Sequence, residues 1–253
     1  MKVIAISNHK GGVGKTVTAV NLAAALHVVH RQRVLLIDAD PQGNATTHLL
    51  GEGLYPVAYL GPAIIDKDLL PAIVGTDSGV DLVPGGAGLD LDEQVIEKLQ
   101  QWRLRLKQAL ATVEHLYDYV VIDCPPALKT YTMMALVAAD AYIVATRPEK
   151  PAKDGTDRLI GLAEEVQQSL NPRLKLLGIV VTQYNKNLRN GHHDKFINLT
   201  RQHYGEKMML PTIRQDVQVL HAFDSGSTVF NFAPTTNAAK DYTALTAAVL
   251  ERL

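Results

Sequence analysis

The stretch Lys2-Val-Ile-Ala-Ile-Ser7-Asn8-His9-Lys10-Gly11-Gly12-Val13-Gly14-Lys15-Thr16 runs from a short apolar segment of strand type into Thr16 to His30, where apolar residues recur at helical spacing. A glycine-rich turn that ends in Lys-Thr between a strand and a helix reads as a phosphate-binding loop. Gly11, Gly12 and Gly14 let the backbone N–H groups turn inward and approach an anion that a Cβ would hold away. The helix that follows adds the positive end of its dipole. Lys15 is expected to reach the β- and γ-phosphates, and the Thr16 hydroxyl to coordinate a magnesium ion that bridges them. Val13 and Val17 complete the run expected to contact nucleotide. The usual Gly-x(4)-Gly-Lys-Thr spacing places His9 where the first glycine belongs, with Lys10 directly after it. This is a deviant form of the motif with a second lysine, and Lys10 lies too early in the loop to repeat the work of Lys15.

Two further apolar runs end in carboxylates. Arg33-Val-Leu-Leu-Ile37 leads into Asp38-Ala-Asp40-Pro-Gln-Gly-Asn44-Ala-Thr46, and Tyr119-Val-Val-Ile-Asp123 leads into Cys124-Pro125-Pro126. A doubly wound sheet brings such residues to its carboxyl edge beside the phosphate loop. Asp123 is placed to reach magnesium through a water ligand. Pro125 and Pro126 fix φ in the turn that follows, which suits a segment coupling the phosphate site to a partner surface. Cys124, the lone cysteine, reads as a small buried hydrophobe.

The two-lysine loop and the Asp-x-Asp-Pro-Gln-Gly-Asn-Ala-Thr segment resemble the ParA/MinD family of deviant Walker ATPases, the second of them without a mismatch. That resemblance implies that Lys10 crosses to the phosphates of a partner subunit in an ATP-bound dimer. It also implies that Asp40 positions or activates the attacking water and that Asp38 helps to hold the magnesium shell. In relatives a Pro-Arg-Asn segment borders the adenine; here the corresponding stretch is Thr212-Ile213-Arg214-Gln215, which makes Thr212 and Ile213 the adenine candidates. Packing accounts for Ile213 as well as base contact does. The resemblance covers most of the chain, most strongly Val3 to Thr46 and Tyr119 to Ala141, and makes ATP and Mg2+ the expected cofactors.

The 253 residues are 47% hydrophobic, enough for one domain spanning 1–253 with a substantial core. A formal net charge of −1 provides no global cation field, so any nucleic-acid binding has to use a local patch. One cysteine excludes a disulfide framework and agrees with a reducing cytoplasm. No signal peptide is recognised ahead of the first strand, and no apolar run approaches the length of a membrane span. Strand-like runs recur at Val80 to Val83, Ala141 to Ala145, Leu174 to Val181 and Lys207 to Leu210, separated mostly by helical periodicity. The alternation predicts an α/β fold, a doubly wound, mostly parallel sheet with helices on both faces. Leu91, Val95, Leu99, Trp102, Leu106, Leu110 and Val113 read as the core face of one amphipathic helix. The stretch Gly51 to Gly79, with weak periodicity, reads as a surface insertion.

Within the family, branches that hold iron–sulfur clusters need more than one cysteine. MinD-type members end in a basic membrane-seeking helix, whereas Asn237 to Leu253 sets Lys240 and Arg252 against Asp241 and Glu251. Tyrosine-kinase relatives end in a tyrosine cluster, and here the tail carries only Tyr242. The remaining branch is the small ParA/Soj-like partition ATPase, here with no helix-turn-helix domain ahead of it. The resemblance implies a homodimer on ATP, non-specific binding to nucleoid DNA, and release by a ParB-like or other centromere-binding adaptor, with no membrane partner. Lys186, Arg189, Lys195, Arg201, Lys207 and Arg214, with His192 and His193, supply the local charge, and Arg189 and Arg214 lead as DNA contacts. Positioning of a protein assembly such as a carboxysome or chemoreceptor cluster uses the same site and stands as the alternative. A MinD-like division-site regulator ranks third.

Overall fold

A computed structural model describes residues 1–51, 56–149, 152–187 and 191–253, with the side chains of 152, 153 and 207 left aside. Strand β1 (Lys2–Ser7) alternates cleanly, with Val3 and Ala5 in the core on one face of the sheet and Ile4 and Ile6 in the core on the other. A strand buried on both faces belongs in the middle of a parallel sheet. The others are β2 (Val34–Asp38), β3 (Asp81–Val83), β4 (Tyr119–Asp123), β5 (Ala141–Thr146) and β6 (Lys175–Val181), in the spatial order β3-β2-β4-β1-β5-β6, all parallel. The helices are α1 (Lys15–Val28), α2 (Asn44–Leu50), α3 (Leu60–Asp66), α4 (Leu89–Ile96), α5 (Arg105–Leu110), α6 (Thr130–Ala138), α7 (Ala152–Ser169), α8 (His192–Tyr204), α9 (Val217–Asp224), α10 (Val229–Phe232) and α11 (Asn237–Arg252). Residues from α1, α10 and α11 share one core, and residues from α3, α5, α6 and α7 the other. The doubly wound fold expected from the strand–helix alternation is therefore present.

The register places the chemistry. Ile6 lies level with Asp123, and Asp123 lies level with Asp38, so the phosphate loop and two carboxylates meet at one height on the carboxyl edge. The chain leaves β1 toward β2 on one side and β4 toward β5 on the other, which opens a crevice above β1 and β4.

Three expectations from the sequence are corrected. The apolar repeat from Leu91 to Val113 is not one helix: it breaks after Ile96, and Gln101 adopts a left-handed conformation with φ 52° before a short helical turn at Trp102–Leu104. The break re-aims its first part, so Leu89 and Ile96 are buried while Leu91 and Val95 face outward. Trp102 is half-buried with the Arg103 guanidinium 4.4 Å from its ring centre. Lys207 to Leu210 is not a strand, because Glu206–Met208 curls into a 3-10 turn after Gly205 (φ 87°) and only Met209 bridges to Ile179. The stretch read as a surface insertion contributes Leu60, Ala63, Ile64, Leu69 and Ala72 to the core. Ile64→Ala should accordingly cost about 2–4 kcal/mol in a urea titration, whereas a surface insertion would show a change below about 0.5 kcal/mol.

The C-terminal helix α11 is amphipathic, but its apolar stripe (Ala238, Tyr242, Leu245, Val249) is buried in the core it shares with α1. Among the described residues no helix is long and apolar enough to cross a membrane.

Candidate functional site

The turn between β1 and α1 wraps a cavity of about 400 Å³ lined by Gly11, Gly12, Gly14, Lys15, Thr16 and Val17 together with Asp40, Gln42, Asn44, Pro126, Gln183 and Phe223. Gly14 sits at φ 80°, and a Cβ there would meet the Thr182 hydroxyl at 3.1 Å, so glycine is required on both counts. The Thr182 hydroxyl donates to the Val13 carbonyl at 2.8 Å and ties the loop to the end of β6. The Val13 side chain is buried, which leaves only its main chain for the loop's inner surface. The Lys15 side chain is buried at the floor, with Nζ donating to the Lys10 carbonyl at 3.3 Å. Burial lowers its pKa, against which Asp123 and then Asp40 favour the ammonium.

Lys10 behaves differently from Lys15. Its side chain is not part of the cavity wall but pairs with Glu149 at 3.1 Å, and Glu149 also holds Arg147, whose guanidinium reaches the Gly12 carbonyl at 3.4 Å. Both partners of the Lys10 pair are partly open to solvent, so the pair is worth at most about 1 kcal/mol and is easily exchanged. Glu149 has its carboxyl held below the usual range by the Lys10 hydrogen bond first and by Arg147 as well.

The three carboxylates divide their work. Asp38 is fully buried; its Oδ2 accepts the Thr46 amide at 2.8 Å and the Thr46 hydroxyl at 2.7 Å, and its Oδ1 accepts the Asp40 amide at 3.2 Å. It thus organises the turn into α2 and does not line the phosphate cavity. Burial raises its pKa to about 6 against those hydrogen bonds. Asp40 lines the cavity, with one oxygen accepting the Gln42 amide at 3.0 Å. Asp123 is fully buried, and neither of its oxygens meets a donor at full hydrogen-bond geometry, although the Thr16 hydroxyl is close enough to favour its charged form. Burial first and Asp38 second raise its pKa well above the ordinary value, while Thr16 and Lys15 oppose them.

A buried carboxylate without a full hydrogen bond, beside a loop threonine, fits a divalent cation held by Thr16 directly and by Asp123 through water. Among the described residues no cluster of three or more His, Cys, Asp or Glu side chains is placed to hold a metal by itself. Without the cation the raised Asp123 pKa means that the native state binds more protons than the unfolded chain above the ordinary carboxylate range. Its stability contribution therefore falls as pH rises. Asp123→Asn should raise the melting midpoint of the nucleotide-free protein at about pH 7.5 by a few degrees and lose that advantage toward about pH 4. An equal gain at both pH values in a thermal melt would show that the carboxylate is not the cause.

A second hollow of about 300 Å³ adjoins the first through Gly14, Val17 and Gln183, and is walled by Ile213, Gln215, Asp216, Val217, Leu220 and Tyr242. Its apolar wall and planar polar edge suit a nucleobase. Ile213 belongs to it and Thr212 does not, because the Ile213 amide donates to the Val181 carbonyl at 2.9 Å and that register turns Ile213 toward the hollow. Cys124 is fully buried with its thiol pKa raised by burial, as a packing residue should be. Reading the sequence missed Gln42, Asn44, Gln183, Phe223 and Glu149. Gln42 and Asn44 sit inside the acidic turn, and Gln183, at φ 53°, follows the carboxyl end of β6, which is the signal that finds it.

Of the basic residues set aside for DNA, Arg189 lies outside the described residues. Arg214 grips Asp241 with Nη2 at 2.6 Å and Nε at 2.9 Å and borders the base hollow, and Arg201 pairs with Glu206 at 3.1 Å. Both charges are engaged within the chain, while Lys186 and Lys195 are exposed. His193 accepts the Asn185 amide at 2.9 Å, leaving exposed His192 as the other imidazole of that segment.

A family model described as an AAA domain matches residues 1–176. The chromosome partitioning protein ParA of Caulobacter vibrioides is 36% identical over 100% of this chain and 95% of its own length. The chromosome-partitioning ATPase Soj of Thermus thermophilus is 38% identical over 99% of this chain and 96% of its own. Among solved structures, a cobyrinic acid a,c-diamide synthase of Mycobacterium smegmatis with bound ATP analog and magnesium superposes with a TM-score of 0.84 at 31% identity, covering 99% of this chain and 95% of that one.

Proposed function

Because the chain belongs to the ParA/Soj group of the deviant Walker ATPases, we propose that it is an ATP-hydrolysing switch that pairs with a second copy when MgATP is bound. One observation carries the reading: Lys15 lines the phosphate cavity, whereas Lys10, five residues before it in the same glycine-rich turn, stands outside on a weak ion pair. An ammonium held only by an exchangeable ion pair is available to a neighbour's phosphates, and a triphosphate would supply the attraction that draws two copies together. Thr16, and Asp123 through water, would hold magnesium, which neutralises charge on the transferring phosphoryl group. Asp40, in the wall of the same cavity, is the residue for orienting the attacking water, and ATP and water are converted to ADP and phosphate.

The ParA/Soj relatives named above favour the dimer's use on DNA: non-specific binding to the nucleoid, cargo carried on an adaptor of the ParB kind, and cytoplasmic residence. With Arg214 and Arg201 already paired, exposed Lys186 and Lys195 are the first contacts to test. In light scattering, wild-type chain should double in mass under saturating MgATP analogue, and Lys10→Ala should stay single while still binding nucleotide. Duplex DNA of arbitrary sequence should be retained with MgATP, weakly or not with ADP, and with strong salt dependence. Retention equal in ATP, ADP and nucleotide-free protein would refute the switch.

A further inference from the structure

We propose that His48 is a positioning residue for hydrolysis. Through the Phe223 ring it joins α9, which walls the base hollow, to α2 and the acidic turn that carries Asp40, so that a base seated in the hollow sets the geometry at the phosphate cavity. The proposal deepens the ATPase reading and rests on it for the hydrolytic consequence alone. Helix α9 borders both hollows. Val217 and Leu220 wall the base hollow, and Phe223, three residues further along, lines the phosphate cavity. Val217 and Leu220 are apolar yet 55% and 63% exposed, and a base lying in the hollow would cover them. The start of α9 is anchored. Asp216 caps it by accepting the Gln218 amide at 3.0 Å, and its other oxygen accepts the Ala238 amide of α11 at 3.2 Å.

The far end of α9 rests on α2. The buried His48 ring stacks on Phe223 with ring centres 4.1 Å apart and planes 11° from parallel. A carbonyl can only accept, so His48 Nδ1 donates to the Phe223 carbonyl at 3.0 Å. Burial lowers the imidazole pKa, which keeps the stacked ring neutral at neutral pH. Gly226, at φ 65°, completes the contact, because a Cβ there would meet the His48 carbonyl oxygen at 3.1 Å. Helix α2 begins at the chemistry. Asn44 lines the phosphate cavity, and Thr46 holds Asp38, whose other oxygen accepts the Asp40 amide. One ring and one carbonyl thus connect the base wall to the turn of Asp40, a contiguous path with an anchored helix at one end and the water-orienting carboxylate at the other. Contact with a base remote from the reacting phosphate is thereby converted into orientation at the phosphate, which raises the rate and not only the affinity.

The test compares MgATP with magnesium tripolyphosphate, which fills the phosphate cavity and leaves the base hollow empty. In single-turnover phosphate release at saturation, wild type should turn over ATP about tenfold or more faster than tripolyphosphate. His48→Ala and Phe223→Leu, the second at a half-buried position, each checked by a thermal melt, should bring the ATP rate down to that of tripolyphosphate. The tripolyphosphate rate itself should stay within about twofold of wild type, because the path to the base is idle with that substrate. His48→Asn, which keeps a donor in the place of Nδ1, should retain more of the ATP advantage than His48→Ala. Equal rates for the two substrates in wild type, or variants that slow both alike or neither, would overturn the coupling. Hydrogen exchange of residues 40–50 reads the same path without turnover. A non-hydrolysable MgATP analogue should protect that segment more than tripolyphosphate in wild type and equally in His48→Ala, and equal protection in wild type would overturn the proposal. Absence of phosphate release from ATP in wild type would sink the ATPase reading alone, and the exchange arm would still decide the coupling.

Discussion

Lys15→Ala is expected to weaken binding of a fluorescent MgATP analogue about a hundredfold, which corresponds to about 3 kcal/mol for charge-assisted contacts to phosphate. The size follows from where the ammonium sits. It is almost completely buried, it faces two carboxylates that keep it charged against the cost of burial, and it lies at the floor of the phosphate cavity. A charge held in a low-dielectric pocket before ligand arrives needs no reorganisation when phosphate binds. Removing it also leaves Asp123 and Asp40 beside an incoming polyanion with one compensating cation fewer. Affinity unchanged within about twofold, far below the effect expected for such a contact, would mean that the cavity does not take phosphate there. A Lys15→Arg variant would not restore the contact, since a planar guanidinium fork would replace the compact point charge at the cavity floor.

Asp40→Ala is expected to retain nucleotide while slowing single-turnover phosphate release about 10²–10⁴-fold, the range for losing a group that orients or deprotonates the attacking water. The carboxylate is held by the Gln42 amide and opens into the cavity beside Lys15, without the full set of partners that immobilises Asp38. Because the loss falls on the chemical step and not on binding, MgATP should accumulate on the protein and the two-copy state should persist. Light scattering under saturating MgATP reads the second part. A variant that remains single there, or that turns over at the wild-type rate, would remove Asp40 from its assigned role. The neighbouring Asp38→Ala should instead lower stability, because Thr46 and the Asp40 amide would lose a buried acceptor.

The phosphate loop was legible because every cue for it is local. Gly14 needs a positive φ, Lys15 and Thr16 are adjacent, and the flanking periods change from strand to helix within a few residues. The carboxylates were legible as strand-end residues, and the parallel register that levels Asp38 with Asp123 confirmed their convergence. Their separate duties were not legible, since nothing in the spacing shows that the Thr46 hydroxyl saturates Asp38 while Asp123 meets no donor at full geometry. The partner of Lys10 lies 139 residues away at Glu149, and such a pair is invisible to any window along the chain. Arg214 looked like a free cation for the same reason: Asp241, 27 residues on, comes to it only when α11 packs back onto α1.

Helical periodicity was misleading where it continued across a break. The spacing from Leu91 to Val113 suits one helix, but Gln101 turns left-handed and rotates the first segment, so that Leu91 and Val95 exchange places with Leu89 and Ile96. That rotation converts expected core residues into an exposed apolar pair. What the amino-acid sequence determined alone is the layered α/β plan and the phosphate grip, because both depend on hydrophobic period and on the dihedral and charge demands of neighbouring residues. What only the tertiary structure decided is which charges stay available and which faces stay open, because ion pairs, buried acceptors and base-sized hollows are made by residues that packing alone brings together.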